Sequence, residues 1–199
     1  KSLEAAEDKV AELCVETIEA VGHASNVKTL AAPGGSLSDS YLFRGVVLNK
    51  DFIGGGDEFD NWSNEEGVDI LLLNNGLTEA PDSPNVSVQV DASSYGKVQT
   101  MGRDKLLSSA KAIVLRDAAH DTAVAYLRKQ GISVIQRVPE STLRRLSKEI
   151  KCPIHMIPDS TCSTGVGFIT KENYNGVSYL FIHSSNTEST LVLFGATQS

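Results

Sequence analysis

Several groups of residues in this chain are of types that could do chemistry. Cys152 and Cys162, with His155, His120 and His183, supply thiols and imidazoles for nucleophilic catalysis. Lys151 beside Cys152 could lower its thiol pKa. Yet Cys152 and His155 stand three residues apart across Pro153, which fits no nucleophile elbow. A small apolar residue at a helix-to-strand turn is the simpler reading of Cys152. Asp57, Asp60 and Glu65 in the segment 51–67 are hard oxygen donors of the kind calcium prefers, but their spacing is not that of an EF-hand. Phosphate binding finds equally little support. Gly54-Gly55-Gly56 runs into Asp57 and Glu58, whose charge repels phosphate, and Gly165-Val166-Gly167 lacks a third glycine and a following helix.

The segment 141–150 is more informative. Leu143, Leu146 and Ile150 fall on one side of a helix, and at about 100° per residue Ser141, Arg144, Arg145 and Lys148 fall on the other. This gives a basic, hydrogen-bonding face on a chain whose net charge is −7. An ordinary solvated face would carry the same residue types, because Arg and Lys are good helix formers.

These residues need elements to position them. Leu3, Ala6, Val10, Leu13, Cys14, Ile18 and Val21 recur at helical spacing, and Gly22 is placed to end that helix. His23 to Asp39, with Pro33-Gly34-Gly35 inside it, reads as extended chain and turn. Leu42 to Leu48 reads as one strand, and 51–67 as an acidic, glycine-rich loop with Phe59 and Trp62 in it. Val68 to Leu73 is nearly all aliphatic, as a strand buried on both faces should be. Val86, Val88 and Val90 alternate with polar residues, which predicts a half-exposed strand, and 96–110 is weakly helical. From residue 112 onward strands and helices alternate: strands at 112–115, 132–138 and 154–157, helices at 121–130 and 139–150. Strands at 165–170, 177–183 and 190–194 close the chain. The sum is an α/β core flanked by β meanders.

Composition sets the outer bounds. At 199 residues, 41 % hydrophobic and 22 % charged, the chain is of globular rather than disordered type. The longest clean apolar run, Ile70 to Leu73, is far short of the roughly 20 residues of a membrane span. The acidic balance disfavours a nucleic-acid or anionic-membrane partner. Three cysteines without CxxC or zinc-finger spacing fit a reducing compartment. The start at Lys1 inside a helix reads as a piece of a longer protein.

Gly34-Gly35-Ser36-Leu37-Ser38-Asp39-Ser40, followed by Gly45-Val46-Val47-Leu48-Asn49-Lys50, resembles the GGSL.DS…G…(L/V)DK run that opens the apical domain of group II chaperonins, the eukaryotic TRiC/CCT and archaeal thermosome family. The resemblance extends over nearly the whole chain. Residues 10–17 resemble the family's preceding intermediate-domain helix, and 68–74 its "AKI.L.N" strand. Residues 126–132 resemble "HYL.K.GI.A", and 137–146 resemble "RRV…..ME.LA". Residues 88–98 and the closing 191–198 (LVLFGATQ) are similar to the beta subunit's "RVRVDSTAKV" and "IVLRGATQ". There are departures. Phe194 stands for the family's arginine, Lys151-Cys152-Pro153 replaces the double glycine after the 141–150 helix, the segment 101–110 is short, and 51–67 is long and acidic.

The resemblance implies a chaperonin apical-domain-like β/β/α fold, with residues 41–190 as the substrate-binding domain. Intermediate-domain segments would be 1–40 and 191–199. It implies that Ser141, Arg144, Arg145 and Lys148 contact non-native polypeptide clients of the actin or tubulin kind, with Asp57, Glu58 and Trp62 as further loop contacts. Gly34, Gly35 and Gly195 would be hinges. It implies no catalytic residue, cofactor or metal in this stretch; ATP and magnesium would serve the parent ATPase, a cytoplasmic double ring of neighbouring subunits. The other expectation is an apical-type module used as an interaction scaffold in a non-folding protein, such as a lipid kinase or a chaperonin-like assembly factor.

Overall fold

The computed structural model describes residues 2–21, 27–53, 67–77, 110–156 and 162–195. The expected strand at 86–90, the helical stretch 96–110 (apart from Ala110) and the loop residues Asp57, Glu58, Phe59, Asp60, Trp62 and Glu65 lie outside the described residues.

Helix α1 (Ser2–Val21) is followed by β1 (Val27–Pro33), a 3-10 turn (Leu37–Asp39), β2 (Tyr41–Arg44), β3 (Val46–Leu48) and β4 (Val68–Leu73). Then come β5 (Ala112–Leu115), α2 (Asp121–Lys129), β6 (Ser133–Ile135), α3 (Glu140–Glu149), β7 (Ile154–His155), β8 (Gly165–Tyr174), β9 (Val177–His183) and β10 (Ser189–Gly195). The large sheet runs β3-β9-β8-β4-β5-β6, with β7 also paired to β4. A three-stranded sheet runs β1-β10-β2.

β4 shows how sequence builds this core. Its residues alternate between two layers: Ile70 and Leu72 enter one cluster with Val46, Leu48, Leu143, Leu146 and Ile150, while Leu71 and Leu73 enter another with Ile113, Leu127, Ile132 and Val134. All four of these β4 residues are fully buried, which is why the strand is aliphatic without interruption. β4, β5, β6 and β7 are mutually parallel. The crossovers α2 and α3 therefore lie on opposite faces, α2 contributing Leu127 to one cluster and α3 contributing Leu143 and Leu146 to the other. Beyond β3 the chain reaches the far edge of the same sheet. Phe52 is buried in the α3 layer, and Ile53 N donates to Val134 O at 2.9 Å, covering the otherwise open edge at β6.

The segment expected as one strand over 42–48 is two. Gly45, with φ +148°, turns the chain so that β2 pairs with β10 and β3 pairs with β9 in the other sheet. A Cβ there would lie 2.5 Å from Ile182 O and 2.6 Å from a ring carbon of Phe43, so only glycine fits. Between the two sheets lies an aromatic cluster of Tyr174, Tyr179, Phe181 and Phe194, with Ala32, Val47 and Val192. Phe194 meets Tyr174 edge-on at 4.9 Å.

α1 also departs from its expected face. Over residues 8–20 of the helix, Leu13 and Thr17 are buried, and it packs against the 3-10 turn, β2 and β10. Val10, Val15 and Ile18 remain exposed, because only one strip of the helix meets the rest of the described structure. Among the described residues no helix is long and apolar enough to cross a membrane.

Candidate functional site

α3 is set by its apolar stripe. Leu143 and Leu146 are fully buried and Ile150 is nearly so. Glu149 follows Leu146 by the same interval that separates Leu146 from Leu143, so the helix turns its carboxylate inward as well. That carboxylate accepts four backbone N–H bonds from the segment joining β9 to β10: Ser184 at 2.8 Å, Asn186 and Thr187 at 2.9 Å, and Glu188 at 3.0 Å. The Thr187 hydroxyl adds a fifth at 3.1 Å. Burial alone would push the Glu149 carboxyl up, but the bonds from Glu188, Ser184, Asn186 and Thr187 outweigh it and hold it below its ordinary value.

Arg145 completes this attachment. Its Nε donates to Glu188 Oε2 at 2.6 Å, and its Nη2 donates to the Ser189 carbonyl at 2.7 Å. The Glu188 side chain is only 2 % exposed and that of Arg145 only 17 %. Helical spacing assigns Arg145 to the solvent face, and the structure corrects this. The β9–β10 segment and the start of β10 flank α3, so its buried arc is wider than the leucine stripe. Ser141 and Arg144 are exposed, as is Lys148, whose Nζ lies 3.7 Å from Glu188 Oε1. Arg144 pairs with Glu140 one turn earlier, Nη2 to Oε1 at 2.6 Å. The outward cationic face is thus Arg144 and Lys148, with Ser141 beside them.

α3 ends at a residue of unusual backbone. Cys152 N donates to Ser147 O at 3.1 Å, the long bond of a Schellman C-terminus. The position this motif reserves for a left-handed residue is held by Lys151, φ +52°. α2 ends in the same way on Gly131, φ +71°. Cys152 itself is buried, and burial pushes its thiol up to about 11, opposite to the lowering that Lys151 could give. Its Sγ lies 3.3 Å from the carbonyls of Pro153 and Ser163, so its place is structural. His155 Nε2 accepts from Ser163 N at 3.1 Å.

The three glycines expected at the crossings come together. Gly34 and Gly195 form an isolated antiparallel bridge at the end of the parallel β1–β10 pair. Gly34 and Gly35 both have left-handed φ, +84° and +71°.

A cleft of about 210 Å³ lies at the first turns of α3. Lys28, Thr29 and Leu30 of β1 form one wall, and Asn49 and Lys50 beyond β3 form another. Pro139, Thr142 and Arg145 form the third, over a floor of Val47, Leu48 and Val138. Sequence reasoning missed this site. Lys28 and Lys50 are 22 positions apart, and only the packing of the two sheets brings them to one cleft.

Residues 1–199 match the TCP-1/cpn60 chaperonin family. The thermosome subunit 1 of Haloferax volcanii is 26 % identical over all of this chain and 38 % of its own length. The thermosome beta subunit of Thermococcus sp. (strain KS-8) is 24 % identical over 74 % of this chain and 30 % of its own. The chain thus spans about a third of the length of these relatives. The open-state monomer of a group II chaperonin from Methanococcoides burtonii is similar in fold, with a TM-score of 0.62 at 23 % identity over 87 % of this chain and 39 % of that one. These relatives are archaeal thermosome subunits and do not single out the beta subunit of the eukaryotic complex. A family match over every residue, with a mixed α/β fold like that of a group II subunit, makes this chain a member of the TCP-1/cpn60 chaperonin family.

Proposed function

We propose that this chain is the client-holding apical part of a chaperonin subunit, and that the outward face of α3, with Ser141, Arg144 and Lys148, contacts non-native polypeptide. The observation that carries this reading is the division of α3 into two sides. One side is bonded to the β9–β10 segment through Glu149 and Arg145, and the other presents two cations to solvent. A firmly held helix with an adaptable charged face suits shallow, non-specific contacts with acidic or amphipathic segments. Arg145 leaves the client-contacting set and becomes a positioning residue. Release would follow rotation about Gly34, Gly35 and Gly195, whose adjacency is that of a hinge. This part would do no catalysis of its own. The parent would be an ATP- and magnesium-dependent ring of the cytoplasm, of TRiC/CCT type and beta-like in its closing segment, with actin- or tubulin-like clients.

The test is binding of labelled, chemically denatured actin to the wild-type chain and to an Arg144→Glu/Lys148→Glu variant, with unfolding curves for both. Loss of binding at unchanged stability is expected. Equal binding overturns the assignment of the client face to α3. Failure of the wild type to bind denatured actin or tubulin favours the scaffold reading, for which the short 101–110 segment speaks.

A further inference from the structure

We propose that Cys152 and Cys162 are a thiol–disulfide pair: exchange with a small disulfide such as oxidised glutathione joins them and staples the end of α3 to the start of β8. The proposal stands apart from the client-holding reading and adds to the fold a redox-sensitive joint. Three observations carry it.

Cys152 sits in a gap of the large sheet. β4 pairs with β8 as far as Ile70, opposite Gly165, and with β7 from Leu72, opposite Ile154. The Cys152 sulfur occupies this change of partner, 3.9 Å from the Ile70 carbonyl and 3.3 Å from the Ser163 carbonyl. A Cβ on Gly165 would lie 2.7 Å from the Cβ of Cys152, so the chain entering β8 passes directly against this residue.

Cys162 meets the same gap from the chain before β8. It is the neighbour of Ser163, which Cys152 contacts at the carbonyl and His155 Nε2 holds by the N–H, 3.1 Å away. Cys162 is half-buried against the cluster of Leu71 and Leu73, and Cys152 belongs to that of Ile70 and Leu72. The two thiols thus stand on the two layers that the gap connects. They are near enough that charge on Cys162 raises the Cys152 thiol. Among the described residues no group of three His, Cys, Asp or Glu is arranged to hold a metal ion, so the chemistry left to the pair is that of thiols.

Cys152 also anchors α3. Its N–H donates to Ser147 O at 3.1 Å, and Ser147 Oγ donates back to its carbonyl at 2.6 Å. A covalent bond at this residue therefore acts on the last turn of the helix.

Exposure sets the order of events. Half-buried Cys162 is the thiol that meets the oxidant, whereas Cys152 is buried and its thiol is pushed up to about 11. The Cys162 thiolate attacks one sulfur of glutathione disulfide, and one glutathione leaves as a thiol with the proton that Cys162 gave up. The Cys152 thiolate then attacks the Cys162 sulfur of the mixed disulfide, and the second glutathione leaves with the proton of Cys152. Two cysteine thiols are oxidised to one disulfide, and one glutathione disulfide is reduced to two thiols. The second step is the slow one, because little Cys152 is ionised at neutral pH.

The test equilibrates the chain in glutathione buffers of graded oxidised-to-reduced ratio, quenches with N-ethylmaleimide and digests with trypsin. The peptide 152–171 carries both cysteines, and Cys14, exposed on α1, reports ordinary thiol exchange from another peptide. In the native chain 152–171 should lose both alkylation sites together, after a mixed disulfide at Cys162. The internal disulfide should be favoured at least about tenfold over that of the chain in about 6 M urea, where only sequence spacing brings the thiols together. By the same cycle, oxidation should raise the urea midpoint, dithiothreitol should reverse the rise, and Cys162→Ser should abolish it. That variant should keep the wild-type unfolding curve under reducing conditions, and Cys162→Ala serves if it does not. Equal disulfide formation in native and unfolded chains overturns the proposal. So does a lowered midpoint on oxidation, or a native chain in which Cys162 stays glutathionylated and Cys152 is recovered as a thiol.

Discussion

Arg145 Nε lies 2.6 Å from Glu188 Oε2, and the same guanidinium donates to the Ser189 carbonyl, so the middle of α3 is bonded to the strand that leads to Gly195. Removing the guanidinium leaves a buried carboxylate with, among the described residues, only Lys148, 3.7 Å away, as a cationic partner. Arg145→Ala should therefore cost about 2–4 kcal/mol in urea unfolding. Arg145→Lys should recover less than half of that, because an ammonium cannot serve Glu188 and the Ser189 carbonyl from one planar fork. A loss within 0.5 kcal/mol, the ordinary range for a surface pair, would contradict the attachment.

Glu149 gives the fold an acid dependence of definite sign. Its folded pKa is held below the ordinary 4.5 by hydrogen bonds to its charged form. The stabilisation is then complete above about pH 4.5 and is lost as pH falls through the lowered folded value. Glu149→Gln sets an amide N–H₂ against backbone donors and should cost about 2–3 kcal/mol at pH 7. It should also flatten the fall of stability below pH 4.5, measured by denaturant titration at each pH. A variant with the wild-type pH slope would remove Glu149 as its source.

Lys151 occupies a left-handed position at the end of α3. Lys151→Gly should stabilise by about 0.5–1 kcal/mol, the relief of left-handed strain less the extra freedom of the unfolded chain. Lys151→Val, β-branched at positive φ, should destabilise by about 1–2 kcal/mol. Thermal melts of the pair, moving in opposite directions, check the assignment.

Gly45→Ala should be far more damaging than its size suggests. The new methyl meets the Ile182 backbone carbonyl at 2.5 Å, and a carbonyl held in the β3–β9 pairing cannot move aside cheaply. A loss of about 3 kcal/mol or more is expected, or failure to accumulate as folded protein. A variant within 1 kcal/mol of wild type would mean that β2 and β3 can part differently.

On the exposed side, Arg144→Glu/Lys148→Glu should change stability by less than about 1 kcal/mol, since Arg144–Glu140 is a solvent-exposed pair one turn apart. A larger change, read from the same unfolding curves, would mean that these side chains hold structure as Arg145 does.

What could be read from sequence follows periodicity. β4, β5, α2, α3, β8, β9 and β10 lie where apolar spacing puts them, because burial on one face or two imposes that spacing. The splitting of 42–48 escaped, since Gly45 in a run of strand formers marks a corner only once Phe43 and Ile182 are known to converge on it. Arg145 was misassigned because a helical wheel knows only the sheet beneath a helix, whereas here the β9–β10 segment closes on its flank. Glu149 carried a signal that could have been used: a carboxylate in register with Leu143 and Leu146 requires a donor set inside the protein. The departure at Phe194 has its explanation in contacts far apart in sequence, with Tyr41 and Tyr174 around it.

The bridge between Gly34 and Gly195 makes everything from 35 to 194 a closed excursion that departs and returns at one point. Residues may be gained or lost inside such an excursion without shifting the register of β1 against β10, so the frame to which it is tied never feels the change. The acidic stretch 51–67 and the short stretch 101–110 both fall within it.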